Sequence, residues 1–211
     1  MPTMNLDRKT VARAALHLLD EVGLDGLTVR RLARDLRVQA PALYWHFKNK
    51  QELFDEMATL VFVDAIGEIG LPGKDAAWQD WAMEFGKWLR RILLRYRDGA
   101  RMFSGRFLAG RALYETMEFA LRTFTNAGFS LREATQGLNT IYCYVVGFAI
   151  EEQAVFPRPD KRSKRYDLAK RAKRIGRDKF PLAVAAGEHS FLDFDEHFEQ
   201  GLRLIIKGLG A

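Results

Sequence analysis

Tyr44, His46, Lys48 and Lys50 lie close together in the stretch from Gln39 to Lys50. A phenol, an imidazole and two ammonium groups suit the phosphate oxygens of a nucleic-acid backbone. A rigid support must hold them outward. Leu43 and Phe47, at i and i+4, share one face and can anchor a short helix inward. Pro41 falls in the first turn of that helix, where a missing N–H costs little. Asn49 reads as an N-cap, with Glu52 three residues on completing a capping-box-like start for the next helix.

Upstream, Thr28 can cap a helix whose Val29, Leu32, Ala33 and Leu36 follow an i, i+3, i+4, i+7 pattern. A brief turn at Arg37-Val38 joins it to the Tyr44 helix. Two short helices, a tight turn and an apolar anchor face make a helix-turn-helix, whose second helix enters a DNA groove. The competing reading is a helical hairpin inside an unrelated all-α core.

The chain has 211 residues and a net charge of +6. That length accommodates one large domain or two small ones. Residues 1–50 hold nine Lys/Arg against five Asp/Glu, and residues 158–179 hold eleven against three, so the remainder is net acidic. A basic N-terminal unit suits a polyanionic partner. The second basic run reads as a solvated loop and helix, with a second DNA contact as the alternative. No apolar run is long enough for a membrane span, and the N-terminus lacks a signal-peptide core. The single cysteine, Cys143, allows no intramolecular disulfide, which fits the cytoplasm.

Hydrophobic periodicity predicts helices throughout, and no stretch has strand period. Helix one runs from about Leu6 to Val22, stopped by Gly23, and helix four from about Lys50 to Gly67. Leu71-Pro72-Gly73 is the clearest punctuation. Trp78, Trp81, Phe85, Trp88 and Ile92 mark an amphipathic helix ending near Asp98-Gly99. A short segment from Arg101 to Ala109 and a helix from Arg111 to Ala127 follow. Ser130 and Glu133 form a capping box opening a long helix that is uncharged from Leu138 to Ile150. A helix apolar all round must be covered all round, so it belongs to a core or an interface. A basic helix from Arg165 to Gly176, a break at Phe180-Pro181 and a last helix from about Phe191 to Leu209 complete the chain. The expected fold is all-α, with nine to ten helices: a three-helix head over residues 1–50 and a helical body over 51–211.

Trp81, Phe85, Trp88 and Phe103 can line a ligand cavity or can be plain core. Tyr142 and Tyr144 can bond a ligand or face a partner subunit. Cys143 reads as a small buried hydrophobe. An enzyme using Glu151 or Cys143 is a competing class, but no nucleophile–base pair at recognisable spacing supports it. His189 and His197 do not have a common metal spacing.

The chain resembles the tetracycline-repressor (TetR) family over nearly its whole length. In the head the matching residues are Glu21-Val22-Gly23, Gly26-Leu27-Thr28, Leu43-Tyr44-Trp45-His46 and Lys48-Asn49-Lys50. In the body they are Trp78-Gln79-Asp80, Arg97-Asp98-Gly99-Ala100, Tyr114-Glu115-Thr116, Gly128-Phe129-Ser130-Leu131, Glu151 and Gly201-Leu202. The resemblance implies a homodimer that holds a palindromic operator in double-stranded DNA and releases it when a small molecule enters the body. It implies that Arg30 reads a base edge, with guanine as its match, and that Pro41 touches a thymine methyl. Thr28, Tyr44, His46 and Lys50 would hold phosphates. Ala40 replaces a glutamine that reads adenine in the tetracycline-binding members, and Gln39 replaces an acidic neighbour. A different operator is therefore expected, with Gln39 as a base reader.

The same resemblance places the ligand site among Trp81, Phe85, Trp88 and Leu89, then Phe103, Arg106 and Phe107, then Met117, and finally Ile141, Tyr144, Phe148 and Glu151. Phe103 stands where the tetracycline-binding members have a metal-ligating histidine. Ile66 replaces a second histidine, Phe85 an asparagine and Arg106 a threonine; only the acid Glu151 is kept. One carboxylate without imidazole is a poor magnesium–drug site. The expected ligand is small, largely apolar and not tetracycline, with Arg106 available to an acidic or carbonyl group, and no cofactor or metal is expected. Helices near 131–155 and 191–209 would form the dimer interface. A DNA-binding dimer with no effector is the remaining alternative.

Overall fold

The computed structural model describes residues 6–69, 77–158 and 161–210. Among them are eleven α-helices, two short 3-10 turns and no strand. The Leu71-Pro72-Gly73 punctuation lies outside the described residues. No helix among the described residues is long and apolar enough to cross a membrane.

Three helices make the head. The first, α1 (Arg8–Gly26), is capped by the Asp7 carboxylate, which accepts from the Thr10 amide at 2.7 Å. It buries Val11, Ala12, Ala15, Leu16 and Leu19. Gly23 interrupts it with φ +73°, a value that favours glycine, and one further turn follows. Next come α2 (Val29–Asp35) and α3 (Ala40–Tyr44). The fourth helix, α4 (Lys50–Ala65), packs along α1 and is stapled to it by ion pairs: Arg8 to Glu56 at 3.2 Å, and Arg13 to Asp64 at 2.9 Å. The boundary expected at residue 50 falls at the first residue of α4.

The body comprises α5 (Trp78–Leu94), α6 (Gly99–Phe103), α7 (Arg111–Asn126), α8 (Leu131–Val155), α9 (Leu168–Ile175), α10 (Pro181–Phe191) and α11 (Phe194–Leu209). The capping box of α8 is formed: the Ser130 hydroxyl accepts from the Glu133 amide at 3.3 Å, and the Glu133 carboxylate accepts from the Ser130 amide at 2.8 Å. Helices α5, α8 and α11 pack together around Ala149, Val145, Phe198 and Leu202. At one end of this layer Arg90 of α5 holds Glu152 of α8 through two bonds of 2.8 and 2.7 Å, and lies over the Phe198 ring at 4.9 Å. The body has one helix more than the sequence reading assigns. Pro181 does not merely end the basic segment; it opens α10, because a proline in the first helical turn sacrifices no bond. Cys143 is exposed on α8 rather than buried.

Gly201 lets α11 approach α8. A Cβ built there meets the Tyr144 hydroxyl, which donates to the Phe198 carbonyl at 3.0 Å. Overpacking of this kind costs about 1–3 kcal/mol. Gly201→Ala is expected to lower stability by that amount in equilibrium denaturant unfolding, despite the better helix propensity of alanine. An unchanged midpoint would mean that Tyr144 yields freely.

Candidate functional site

Leu43 and Phe47 are both buried and pin α3 to the head. Helix α2 is capped by the Thr28 hydroxyl, which accepts from the Arg31 amide at 3.2 Å. It closes with Arg37 at φ +55°, where the Val38 amide reaches back to the Ala33 carbonyl at 2.9 Å. A left-handed residue with this 6→1 bond is the usual helix stop, here built on arginine instead of glycine. The turn that follows aims α3 outward.

Arg30, Gln39, Pro41, Tyr44, Lys48 and Lys50 are exposed together on this end of the head, while Ala40 and His46 are half-buried. Gln39 precedes α3 and makes no capping bond, so its amide is free. The Lys50 ammonium lies over the Phe54 ring, 5.0 Å from its centroid. The Asn49 side chain caps α4 by accepting from the Glu52 amide at 2.9 Å; Glu52 returns the bond to the Lys48 amide at 3.0 Å, one residue before the position expected of a capping box. Sequence reasoning missed Trp45. It is 88% exposed beside Tyr44 at 55%. An apolar ring left bare next to cationic and phenolic groups suits contact with a sugar–phosphate edge.

In the body, α5, α6, α7 and α8 line a cavity of about 470 Å³, together with Phe62 of α4. That size lies within the about 300–1,000 Å³ typical of small-molecule sites. Trp81, Phe85, Leu89, Phe103 and Met117, all singled out from sequence, line it. So do Leu113, Thr116 and Leu121 of α7 and Leu131, Thr135 and Leu138 of α8, which sequence reasoning missed, and Tyr142 of α8, one of the two tyrosines it left between ligand and partner subunit. The signal was present: 113, 116, 117, 120 and 121 follow the helical repeat of a single face, as do 131, 135, 138 and 142. The Thr116 and Thr135 hydroxyls donate to carbonyls of their own helices, at 2.9 and 2.8 Å. The wall is thus mostly apolar.

Seven residues expected at the ligand are not brought to this cavity. Trp88 is buried behind it, edge-on to Phe62, and its indole N–H donates to the Ala65 carbonyl at 2.9 Å. Ile141, Tyr144 and Phe148 lie on another side of α8. Two residues along a helix turn the side chain by about 200°, so Tyr142 and Tyr144 cannot share a wall. Tyr144 stacks on Phe198, and Phe148 meets the same ring edge-on. Glu151 is exposed on α8, and Phe107 is 72% exposed in the link after α6. Arg106 folds over Phe54, 5.4 Å from its centroid, with its Nε donating to the Ser104 carbonyl at 3.3 Å.

Helix α6 connects cavity and head. Its last residue, Phe103, walls the cavity, and the residue before its first, Asp98, grips α1. The Asp98 carboxylate accepts from the Leu24 amide at 2.9 Å. Alongside, the Arg97 amide donates to the Asp20 carboxylate at 3.0 Å and its guanidinium to the Glu21 carbonyl at 3.1 Å. Asp98 itself has φ +54°. Gly99 follows because a Cβ there would run into the Leu93 carbonyl. The buried Gln153 of α8 holds this corner: it accepts from the Ala100 amide at 3.0 Å and donates to the Tyr96 carbonyl at 2.8 Å.

Comparison with known proteins matches both parts. Residues 12–57 fit the family model described as bacterial regulatory proteins, tetR family, and residues 71–211 fit the tetracyclin repressor-like C-terminal domain. The class A tetracycline repressor of Escherichia coli is 40% identical over 209 residues, covering 97% of this chain and 90% of that protein. A possible TetR-family regulator from Streptomyces coelicolor superposes with TM-score 0.84 at 34% identity, covering 97% of this chain and 99% of that one. The Streptomyces coelicolor protein ActR, solved in complex with actinorhodin, superposes with TM-score 0.79 at 30% identity, covering 98% and 97%. The exposed basic helix-turn-helix and the helical body with its cavity are therefore those of a TetR-family transcriptional regulator, and the chain belongs to that family of DNA-binding, small-molecule-responsive proteins.

Proposed function

We propose that the chain is a cytoplasmic, homodimeric repressor that leaves a palindromic operator when a small, largely apolar compound other than tetracycline enters the body cavity. One observation carries the reading: five-residue α6 has its C-terminal end in the cavity wall and its N-terminal side bonded to the head. A compound that displaces Phe103 displaces Asp98 with it. Cys143 and Glu151, the groups an enzyme would use, are exposed and do not line the cavity.

Dimer formation is proposed through α8 and α11. On α8, Gln136, Thr140, Cys143, Gly147 and Ala154 are exposed at three- to seven-residue steps, a nearly uncharged row. On α11, which packs against α8, Leu204 is exposed. Two copies paired this way form a four-helix interface, and two-fold symmetry then places the α3 helices about one DNA turn apart, roughly 34–36 Å. The apolar cavity, with Phe103 where a metal-ligating histidine would be needed, supports a ligand bound without a magnesium chelate.

Selection from random duplexes tests the reading. The retained sequences are expected to be palindromic, with half-sites about one turn apart; enrichment of non-symmetric sequences would contradict it. On the selected operator, Lys50→Ala should weaken binding to all sequences and reduce the salt slope by about one. An unchanged slope would remove Lys50 from the phosphate contacts. A compound that releases the wild-type protein should still bind Asp98→Ala with about the same affinity, yet shift its operator affinity several-fold less. Full release from that variant would show that the signal travels by another path.

A further inference from the structure

Two tryptophans of α5 are equally buried, each 2% exposed, and differ in one respect. The Trp88 indole N–H has the Ala65 carbonyl at 2.9 Å. The Trp81 indole N–H has no partner. Among the described residues only one other buried side-chain atom is left so, Arg106 Nη1, and Arg106 does not line the cavity. Trp81 does. An indole N–H is a donor with no acceptor capacity, and leaving it unpaired in an apolar interior forfeits the bond it makes in water. Native interiors rarely keep such a group without a reason.

The surroundings say what would satisfy it. The Trp81 ring is stacked on Phe85 at 5.1 Å with 8° between planes, so it is held flat against the wall. The Thr116 and Thr135 hydroxyls donate to carbonyls of their own helices, and neither oxygen accepts the indole N–H. Asn139 and Tyr142 also line the cavity, but neither bonds the indole N–H, and Phe62, Leu89, Phe103, Leu113 and Leu138 offer no acceptor. We infer that the Trp81 N–H reads the effector: the cavity selects a flat aromatic compound that presents a neutral oxygen acceptor, such as a ring carbonyl, to α5. This inference rests on the cavity being the effector site, and adds which chemical feature that site discriminates. Binding would then relieve an unsatisfied donor as well as bury the ring, so the acceptor contributes more than an ordinary exchange of hydrogen bonds with water.

Fluorenone and fluorene test this directly, because both are flat three-ring compounds and only the first has a carbonyl. Calorimetric titration of the wild-type protein is expected to favour fluorenone by about tenfold, equivalent to about 1.4 kcal/mol. Trp81→Phe keeps an aromatic ring against Phe85 and removes the N–H. It should bring the two affinities together, mainly by weakening fluorenone. The infrared carbonyl band of bound fluorenone should lie lower in the wild-type complex than in the variant, a shift that a purely structural role for Trp81 would not produce. Fluorene binding as tightly as fluorenone to the wild type, or a preference that survives Trp81→Phe, overturns the donor role while leaving the cavity as effector site. Failure of both compounds to bind the wild type overturns both.

Discussion

The proposed signal between body and head depends on one carboxylate. Asp98 of the body accepts the Leu24 amide of the head, and the backbone on both sides is arranged to permit it. Asp98 occupies a left-handed conformation that costs a non-glycine residue about 1–2 kcal/mol. Gly99 beside it is needed because a side chain would strike the Leu93 carbonyl. On the opposite strand of chain, Gly23 has no Cβ; one would lie 2.8 Å from the same carboxylate. Gln153 closes the corner from α8 with bonds to both sides of the turn. A strained turn held by a buried amide is a defined position, not a flexible hinge, which suits it to the proposed transfer of displacement to the head.

Magnitudes favour such a device as a switch. Tenfold loss of operator affinity needs about 1.4 kcal/mol of differential ligand binding. A hydrogen bond to a charged group contributes about 1.5–3 kcal/mol. In the proposed switch, disturbing one latch bond per subunit would therefore be of the right size. The ion pairs between α1 and α4, by contrast, are exposed and individually weak, and they guide the head along α4 more than they hold it. The apolar cavity wall suits the same proposal, since it includes Phe103 at the far end of the very helix that starts at the latch.

Most of the architecture was legible in the sequence because it rests on local rules. Thr28, Asn49 and Ser130 cap the helices they were expected to cap, and Leu43 and Phe47 anchor α3. The α7 and α8 cavity faces were legible in principle, yet the repeat alone does not say which face meets a cavity and which meets a neighbouring helix. That is why Tyr144 and Phe148 were set beside the ligand when they pack on Phe198. Gln153, Arg90 with Glu152, and the Asp98–Leu24 bond join residues more than fifty positions apart. No spacing rule reaches that far. The bare indole of Trp45 and the unpaired one of Trp81 are likewise products of tertiary placement, not of composition.

In the proposed dimer the body sets where the two heads stand, through the Asp98 latch. Pulsed electron-resonance distances between spin labels at Trp45→Cys in the two subunits, in a Cys143→Ser background, measure this most directly. The account predicts one narrow distance near a DNA turn, roughly 34–36 Å allowing for the label, that broadens when Asp98→Ala is added. A broad distribution already present without Asp98→Ala, or no intersubunit distance at all, would contradict it.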